Sequence, residues 1–289
     1  MIDVALVGCG HMGRLHARTV AQSQRTRLAA VVDIRPERAR ALAEQTGSEA
    51  CPSVPDGVDA VVIATPTSTH VEVARPLLER GHWCLVEKPV ADRVKAAEAL
   101  DHHRLVVGHI ERYNPAVRAA GCVAPRYIEA RRVSPPTARG MDVDVVFDLM
   151  IHDLDLVLHW SGRGEREAEV VDAVGLVGPS GAWDVASVRL RVANDLTATL
   201  MASRVSRSRE RSMHVFEPGR AIRLDLLTGQ AFANGEMLGH DDRGDALSAQ
   251  WAAFTDMVEG RIHPTPDGRE ATGTLRLAHR IVQAMRSET

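Results

Sequence analysis

Val4-Ala5-Leu6-Val7-Gly8-Cys9-Gly10-His11-Met12-Gly13 is the stretch that decides the fold. Four apolar residues run directly into three glycines spaced GxGxxG, and a helix-compatible segment follows. Glycines at this spacing permit a tight turn and let the backbone approach a pyrophosphate, which then rests against helix N-terminal amides. Gly8, Gly10, His11, Met12 and Gly13 therefore form a candidate cofactor loop. Such a motif also occurs in ordinary turns; a strand before it and a helix after it give it weight. Asp33 ends the second apolar run, 20 residues beyond Gly13. Its carboxylate is placed to accept from an adenosine ribose and to repel a 2′-phosphate, which selects NAD over NADP. The plain alternative is a cap for a helix starting at Pro36, and Arg35 could reach a 2′-phosphate, so NAD is favoured and NADP stays open.

Outward from this loop, short apolar runs alternate with helical stretches. The runs are residues 4–7, 28–32, 60–64, 84–86 and 105–107, with 49–51 as a weaker third strand. They are apolar throughout, as strands buried on both faces are. A helix opening at Pro36 and closing at Gly47, and another from 69 to 80 closed by Gly81, carry the usual end signals. Strand and helix in alternation give an α/β Rossmann fold with a doubly wound parallel sheet. Near residue 113 the pattern changes. Longer strands are expected at 126–133, 170–177, 185–192, 196–203, 213–216 and 221–226, several with a period of two. One helix, 148–160, interrupts them, and two more, 246–259 and 269–286, close the chain. The expectation is an NAD(P)-binding Rossmann domain over 1–112. A C-terminal α+β domain with an open, mostly antiparallel sheet follows over 113–289, for substrate and oligomerisation.

Composition narrows the function. The 289 residues suit one or two domains. Thirty-five basic against 38 acidic residues, a formal charge of −3, lack the basic excess of a nucleic-acid binder. Four scattered cysteines offer neither a disulfide framework nor a structural zinc site. No apolar run is long enough for a bilayer and the first residues do not read as a signal peptide, so a cytoplasmic protein without membrane partners is expected. Lysine occurs only twice, at Lys88 and Lys95, in a chain that otherwise writes Arg.

At Glu87-Lys88-Pro89 the sequence resembles the Gfo/Idh/MocA oxidoreductases. The likeness extends to Ala64-Thr65-Pro66-Thr67-Ser68-Thr69-His70, similar to the family's loop beside the nicotinamide half of the cofactor. It also takes in Asp148-Leu149-Met150-Ile151-His152-Asp153-Leu154-Asp155, similar to the family's catalytic helix. With three separated motifs in register, the resemblance covers nearly the whole chain. The resemblance implies NAD as cofactor, with Thr65, Pro66, Thr67, His70, Glu87 and Lys88 joining the glycine loop and Asp33 in holding it. It implies Lys88, Asp148 and His152 as the catalytic set. The chemistry is coherent: oxidising a secondary alcohol needs a base titrating near neutrality, for which His152 is suited. Asp148, four residues earlier, can orient it, and Lys88 can meet the developing alkoxide charge. Plain alternatives are a surface lysine and a simple i,i+4 helix pair. HDxD spreads its polar groups over several faces of one helix, so no metal site is expected, and Asp153 and Asp155 read as structural hydrogen-bond partners.

Gly108-His109-Ile110-Glu111-Arg112-Tyr113-Asn114-Pro115 looks like the GHIERFNP stretch of members that act on UDP-N-acetylglucosamine at C3, with Tyr113 in place of Phe. The resemblance puts His109, Arg112, Tyr113 and Asn114 near a sugar and its phosphates; a structural hinge is the alternative. The loop after residue 133 is expected over the substrate, making Arg131, Arg132 and Arg139 candidates for diphosphate contact, or else ordinary surface arginines. The implied activity is oxidation of a UDP-N-acetylamino sugar at C3, feeding 2,3-diamino sugars for lipid A or other surface glycans. Inositol or other polyol dehydrogenases and NAD(P)H-dependent ketoreductases share these motifs. A cofactor sensor without turnover is a further class, though such members lack the lysine or the histidine. A homodimer or homotetramer through the second domain is implied as well. His16 reads as a helix-face residue.

Overall fold

The computed structural model describes every residue except 122, 137–142, 179–180, 194, 240–243, 262–264 and 288–289. The chain forms two compact units, Met1–His109 with Leu247–Thr272, and Ile110–Ala246 with Gly273–Thr289. In the first, β1 (Ile2–Val7), α1 (His11–Gln22), β2 (Thr26–Val32), α2 (Pro36–Thr46), β3 (Glu49–Ala50) and β4 (Ala60–Ile63) are followed by α3 (His70–Glu79), β5 (Trp83–Val86), α4 (Val94–Glu98) and β6 (Leu105–Val107). The six strands are parallel, in the order β3-β2-β1-β4-β5-β6. The order reverses between β1 and β4, which opens a ligand crevice at the carboxyl ends of these strands. β4 and β6 are buried along their whole length, which is why their sequences are apolar without alternation. Pro36 fills the first turn of α2, and Gly47, in the left-handed region at φ 71°, ends it.

The second unit contains α5 (Pro115–Ala120), β7 (Tyr127–Val133) and α6 (Ile151–Ser161), then β8 (Ala168–Val177), β9 (Trp183–Val192), β10 (Leu196–Ser203), β11 (Glu210–Glu217), β12 (Arg220–Asp225), β13 (Gln230–Ala233) and β14 (Glu236–Met237). Its eight-stranded sheet runs β14-β13-β12-β11-β7-β10-β9-β8. β7 and β10 pair in parallel; every other neighbouring pair is antiparallel. Alternate residues of the strands, such as Ile128 and Ala130 of β7 and Leu190 and Val192 of β9, share one core with Leu154, Leu156 and Val157 of α6. The Asn114 side chain caps α5 by accepting from the Ala116 amide.

Two helices close the chain, α7 (Ala246–Val258) and α8 (Gly268–Ser287). A single division after residue 112 does not describe the fold, because α7 returns to the first unit. Trp251 and Phe254, 3% and 0% exposed, complete the core that Ile2, Val4, Leu28 and Val106 begin. Trp251 Nε1 donates to Thr26 Oγ1 at 3.3 Å, and Val107 N donates to Pro266 O at 2.9 Å. Arg25 ties the helix end to β2 through Asp256 at 2.7 Å and Glu259 at 2.8 Å.

Candidate active site

In the first unit the predicted cofactor residues gather at the carboxyl ends of β1, β2, β4 and β5. Gly8 has φ 97°, and a Cβ there would lie 2.6 Å from Ala64 O; one at Gly13 would lie 1.8 Å from Gly8 O. Only glycine permits this packing of β1, α1 and the β4 loop. A Cβ at Gly10 would meet nothing within 4 Å, so the backbone there borders open space. Gly10 is also the N-cap of α1, and the first turn has no acidic side chain, leaving its orphan amides to an anion. Asp33 accepts from Cys9 N at 2.7 Å and from Arg35 N at 2.9 Å. It therefore joins the glycine loop to the end of β2 instead of capping α2, whose N-cap is Arg35 without a side-chain hydrogen bond. An uncapped helix start, an open glycine and a fixed carboxylate fit a dinucleotide. Burial and the Asp33 charge push the Cys9 thiol up to about 11, so it stays neutral in this loop.

Thr65, Pro66 and Thr67 form the loop after β4, and Thr69 Oγ1 ties it by donating to Thr65 Oγ1 at 2.9 Å and Pro66 O at 2.8 Å. His70, 1% exposed, sets Nε2 3.0 Å from Thr65 O and Nδ1 2.9 Å from Pro89 O. It thus stitches this loop to Glu87-Lys88-Pro89, whose last peptide bond is cis. Burial holds the His70 pKa below its ordinary value, against the two carbonyls and Glu87. Glu87 and Lys88 follow β5 directly.

One connection was absent from the sequence reading. His16, only 1% exposed, lies inside rather than on the outer face of α1, with Nε2 2.7 Å from Glu87 Oε1. Lys88 N donates to the other oxygen, Oε2, at 3.3 Å. Burial works to raise the Glu87 pKa, but His16 and Lys88 prevail and hold it below the usual carboxylate value. The carboxylate beside Lys88 is therefore ionised and locked to the helix that starts at the glycine loop. The signal was available: His16 falls on the buried stripe Gly13, His16, Ala17 and Val20.

In the second unit, Asp148 lies in a π-helical turn, Val146–Met150, which continues into α6, where His152 sits. The Ile151 amide bonds to Val146 O, five residues back. Such wide turns recur at functional sites, and the apolar pattern of an unbroken helix did not disclose it. Both side chains are half-buried. Asp153 and Asp155 hold buried partners, as expected. Arg132 gives Asp153 three hydrogen bonds of 2.7 to 3.1 Å and Glu111 one of 2.8 Å. Arg112 grips Asp155 with two bonds of 2.7 Å.

The sugar and phosphate candidates separate accordingly. His109 is buried at the end of the first unit, 1% exposed. Arg112 and Asn114 bind protein groups: Arg112 binds Asp155, and Asn114 Nδ2 donates to Glu111 Oε2 and Leu226 O, each at 2.9 Å. Tyr113 is 6% exposed. Arg131 is exposed and paired with Glu210 at 2.9 Å. Arg132 faces inward and is 2% exposed, so its guanidinium serves Glu111 and Asp153 instead of a diphosphate. Arg139 lies outside the described residues. Among the described residues no group of His, Cys, Asp and Glu could hold a metal, and no helix is long and apolar enough to cross a membrane.

The 3-2-1-4-5-6 parallel sheet, the glycine loop and the loops after β2, β4 and β5 define an NAD-binding oxidoreductase. Comparisons agree. A family model described as an oxidoreductase family with an NAD-binding Rossmann fold matches residues 2–106. UDP-N-acetylglucosamine 3-dehydrogenase of Acidithiobacillus ferrooxidans is 42% identical over 236 residues, 77% of this chain and 73% of that protein. Its solved structure superposes with a TM-score of 0.90 at 37% identity, covering 99% of this chain and 98% of that one. Inositol 2-dehydrogenase of Rhizobium meliloti is 27% identical, with 98% of this chain and 97% of that protein covered. The chain belongs to the Gfo/Idh/MocA oxidoreductase family. It is a dehydrogenase with an NAD-binding Rossmann domain.

Proposed function

We propose that the protein oxidises the C3 hydroxyl of a UDP-N-acetylamino sugar. The observation that carries this is the likeness to the Acidithiobacillus ferrooxidans enzyme along almost the entire chain, together with the presence of Lys88, Asp148 and His152 in the motifs of this sequence. A bound NAD, held by the glycine loop, Asp33 and the loops after β4 and β5, would supply the hydride acceptor. The chain's own residues do the rest. His152 accepts the hydroxyl proton, and Asp148 orients the imidazole and stabilises its protonated form. Lys88 sets its charge by the reacting oxygen, where alkoxide character grows. Glu87, held by His16, keeps the Lys88 backbone in place. Gly8, Gly10, His11, Met12 and Gly13 cradle the pyrophosphate, and Asp33 receives the adenosine ribose and favours NAD over NADP. Thr65, Pro66, Thr67 and His70 shape the nicotinamide side. Arg112 and Asn114, engaged with Asp155, Glu111 and Leu226 O, brace the sugar side, to which His109 and Tyr113 are also assigned, and Arg131 and Arg139 are assigned to the diphosphate.

The product is a 3-keto sugar that an aminotransferase can consume, which suits a cytoplasmic supply of 2,3-diamino sugars for lipid A. A homodimer or homotetramer through the open sheet of the second unit completes the reading. The likeness to inositol 2-dehydrogenase favours a second one, oxidation of a free polyol. Nicotinamide absorbance with UDP-N-acetylglucosamine and with myo-inositol as substrates separates the two; reduction of NAD with the polyol alone rejects the nucleotide-sugar assignment. Binding of NAD with no turnover on either would mark a sensor.

A further inference from the structure

Arg132 stands where β7 would ordinarily place an apolar residue, in line with the buried Ile128 and Ala130. Stability does not account for it, because a well-packed apolar side chain in place of such a buried ionic group is often neutral or better. Its hydrogen bonds do. Nε and one terminal nitrogen hold Asp153, the residue after His152, and the other terminal nitrogen holds Glu111 in the 3-10 turn Ile110–Tyr113. Arg112, the next residue of that turn, forks onto Asp155. Asp153 and Asp155 lie about 200° apart around an α-helix, since each residue turns it by about 100°. The two arginines therefore grip α6 from nearly opposite sides, and Asn114 anchors the turn through Glu111 and Leu226 O. The π-helical turn before Ile151 gives such a grip a task, because it alters the rotation with which α6 begins. A rotation of about 20° would carry a side-chain tip on this helix, about 5–6 Å from its axis, by about 2 Å.

We propose that Arg132 is a positioning residue: by holding Asp153 and Glu111 it fixes the rotation of α6 and so the direction of the His152 imidazole. This rests on the role given above to His152. Misplacing a reacting group by about 1 Å can cost about a hundredfold in rate.

The test removes the charges together. Arg132→Met with Glu111→Gln and Asp153→Asn leaves no buried carboxylate without its cation; Arg132→Lys keeps the charge and loses the fork. Expected for the triple variant are an unfolding midpoint and NAD affinity near those of the parent. Single-turnover hydride transfer from UDP-N-acetylglucosamine should fall on the order of a hundredfold, with KM little changed, and Arg132→Lys should keep an intermediate rate. A folded triple variant with the parent rate overturns the proposal. If the triple variant does not fold, parent-like kcat in Arg132→Lys overturns it, and a reduced kcat at unchanged KM supports it. If the parent itself does not oxidise the sugar, only the substrate reading fails. The imidazole resonance of His152, followed by NMR against pH without substrate, then decides. A changed resonance in the folded variant supports positioning, and an unchanged one rejects it.

Discussion

Asp33 spends one lone pair of each oxygen on a backbone amide, at Cys9 and Arg35, so its carboxylate cannot swing away from the glycine loop. Asp33→Ser should remove the repulsion toward a 2′-phosphate and narrow the NAD preference by about tenfold or more, the worth of a charged hydrogen bond. Calorimetric titration of both cofactors checks this, and equal affinities in the parent refute it. Glu87 supplies a pH test of stability. Its folded pKa lies below the ordinary 4.5, chiefly because the His16 bond and charge outweigh its burial. Its stabilisation is therefore complete above the unfolded pKa and is lost as pH falls through the folded one. Glu87→Gln should be less stable than the parent near pH 6, and the gap should close below about pH 4. A gap that persists or widens in acid, measured by urea unfolding, would mean that the ionised Glu87 carboxylate is not the source of the difference. The family resemblance assigned Glu87 to the cofactor. Its tie to His16 needed only the observation that a histidine stood on an apolar stripe, but that observation names no partner 71 residues away.

The strand–loop–helix element at the start of the chain separates two kinds of glycine. Gly13→Ala drives a Cβ into Gly8 O and should destabilise the fold by about 1–3 kcal/mol. Gly10→Ala meets open space, so the protein should unfold at the parent's denaturant concentration yet bind NAD more weakly, because the cofactor needs that space. Parent-like NAD affinity in Gly10→Ala, measured by fluorescence titration, would remove Gly10 from the cofactor cradle. Elements of this kind were legible because short buried strands and helix ends have local signatures. The strand β3, the helix opened by Pro36 and closed by Gly47, and the helix that ends just before Gly81 were legible for that reason. The π turn before α6 was not, since Val145, Val146, Met150 and Ile151 satisfy an apolar helix whichever carbonyl their amides reach. Arg132 was expected to meet a diphosphate, or else to lie on the surface, because its inward register on β7 depends on strand pairing with β10 and β11.

At the scale of the whole molecule, the surprise is α7. Its apolar residues do not say which sheet they cover, and nearness in sequence to the second sheet assigned it there. In the structure Phe254 is fully buried with Trp251 in the core of the first unit. Phe254→Ala should cost about 3–5 kcal/mol. It should raise hydrogen exchange in β1 and β6 before it does so in β8 to β10, and the reverse order would contradict the division of the chain. Lys88 belongs to the first unit and His152 to the second. Lys88→Met and His152→Gln should each stay folded and bind NAD while losing on the order of a hundredfold or more in turnover. His152→Gln should also lose the low-pH limb of the rate profile. The most direct measurement is single-turnover reduction of NAD by the parent and these two variants with UDP-N-acetylglucosamine, the product being weighed by mass spectrometry. The expected result is rapid reduction by the parent, a product two hydrogens lighter than the sugar, and near-silence from both variants at undiminished NAD affinity. No reduction by the parent, or near-parental rates in either variant, would contradict the account.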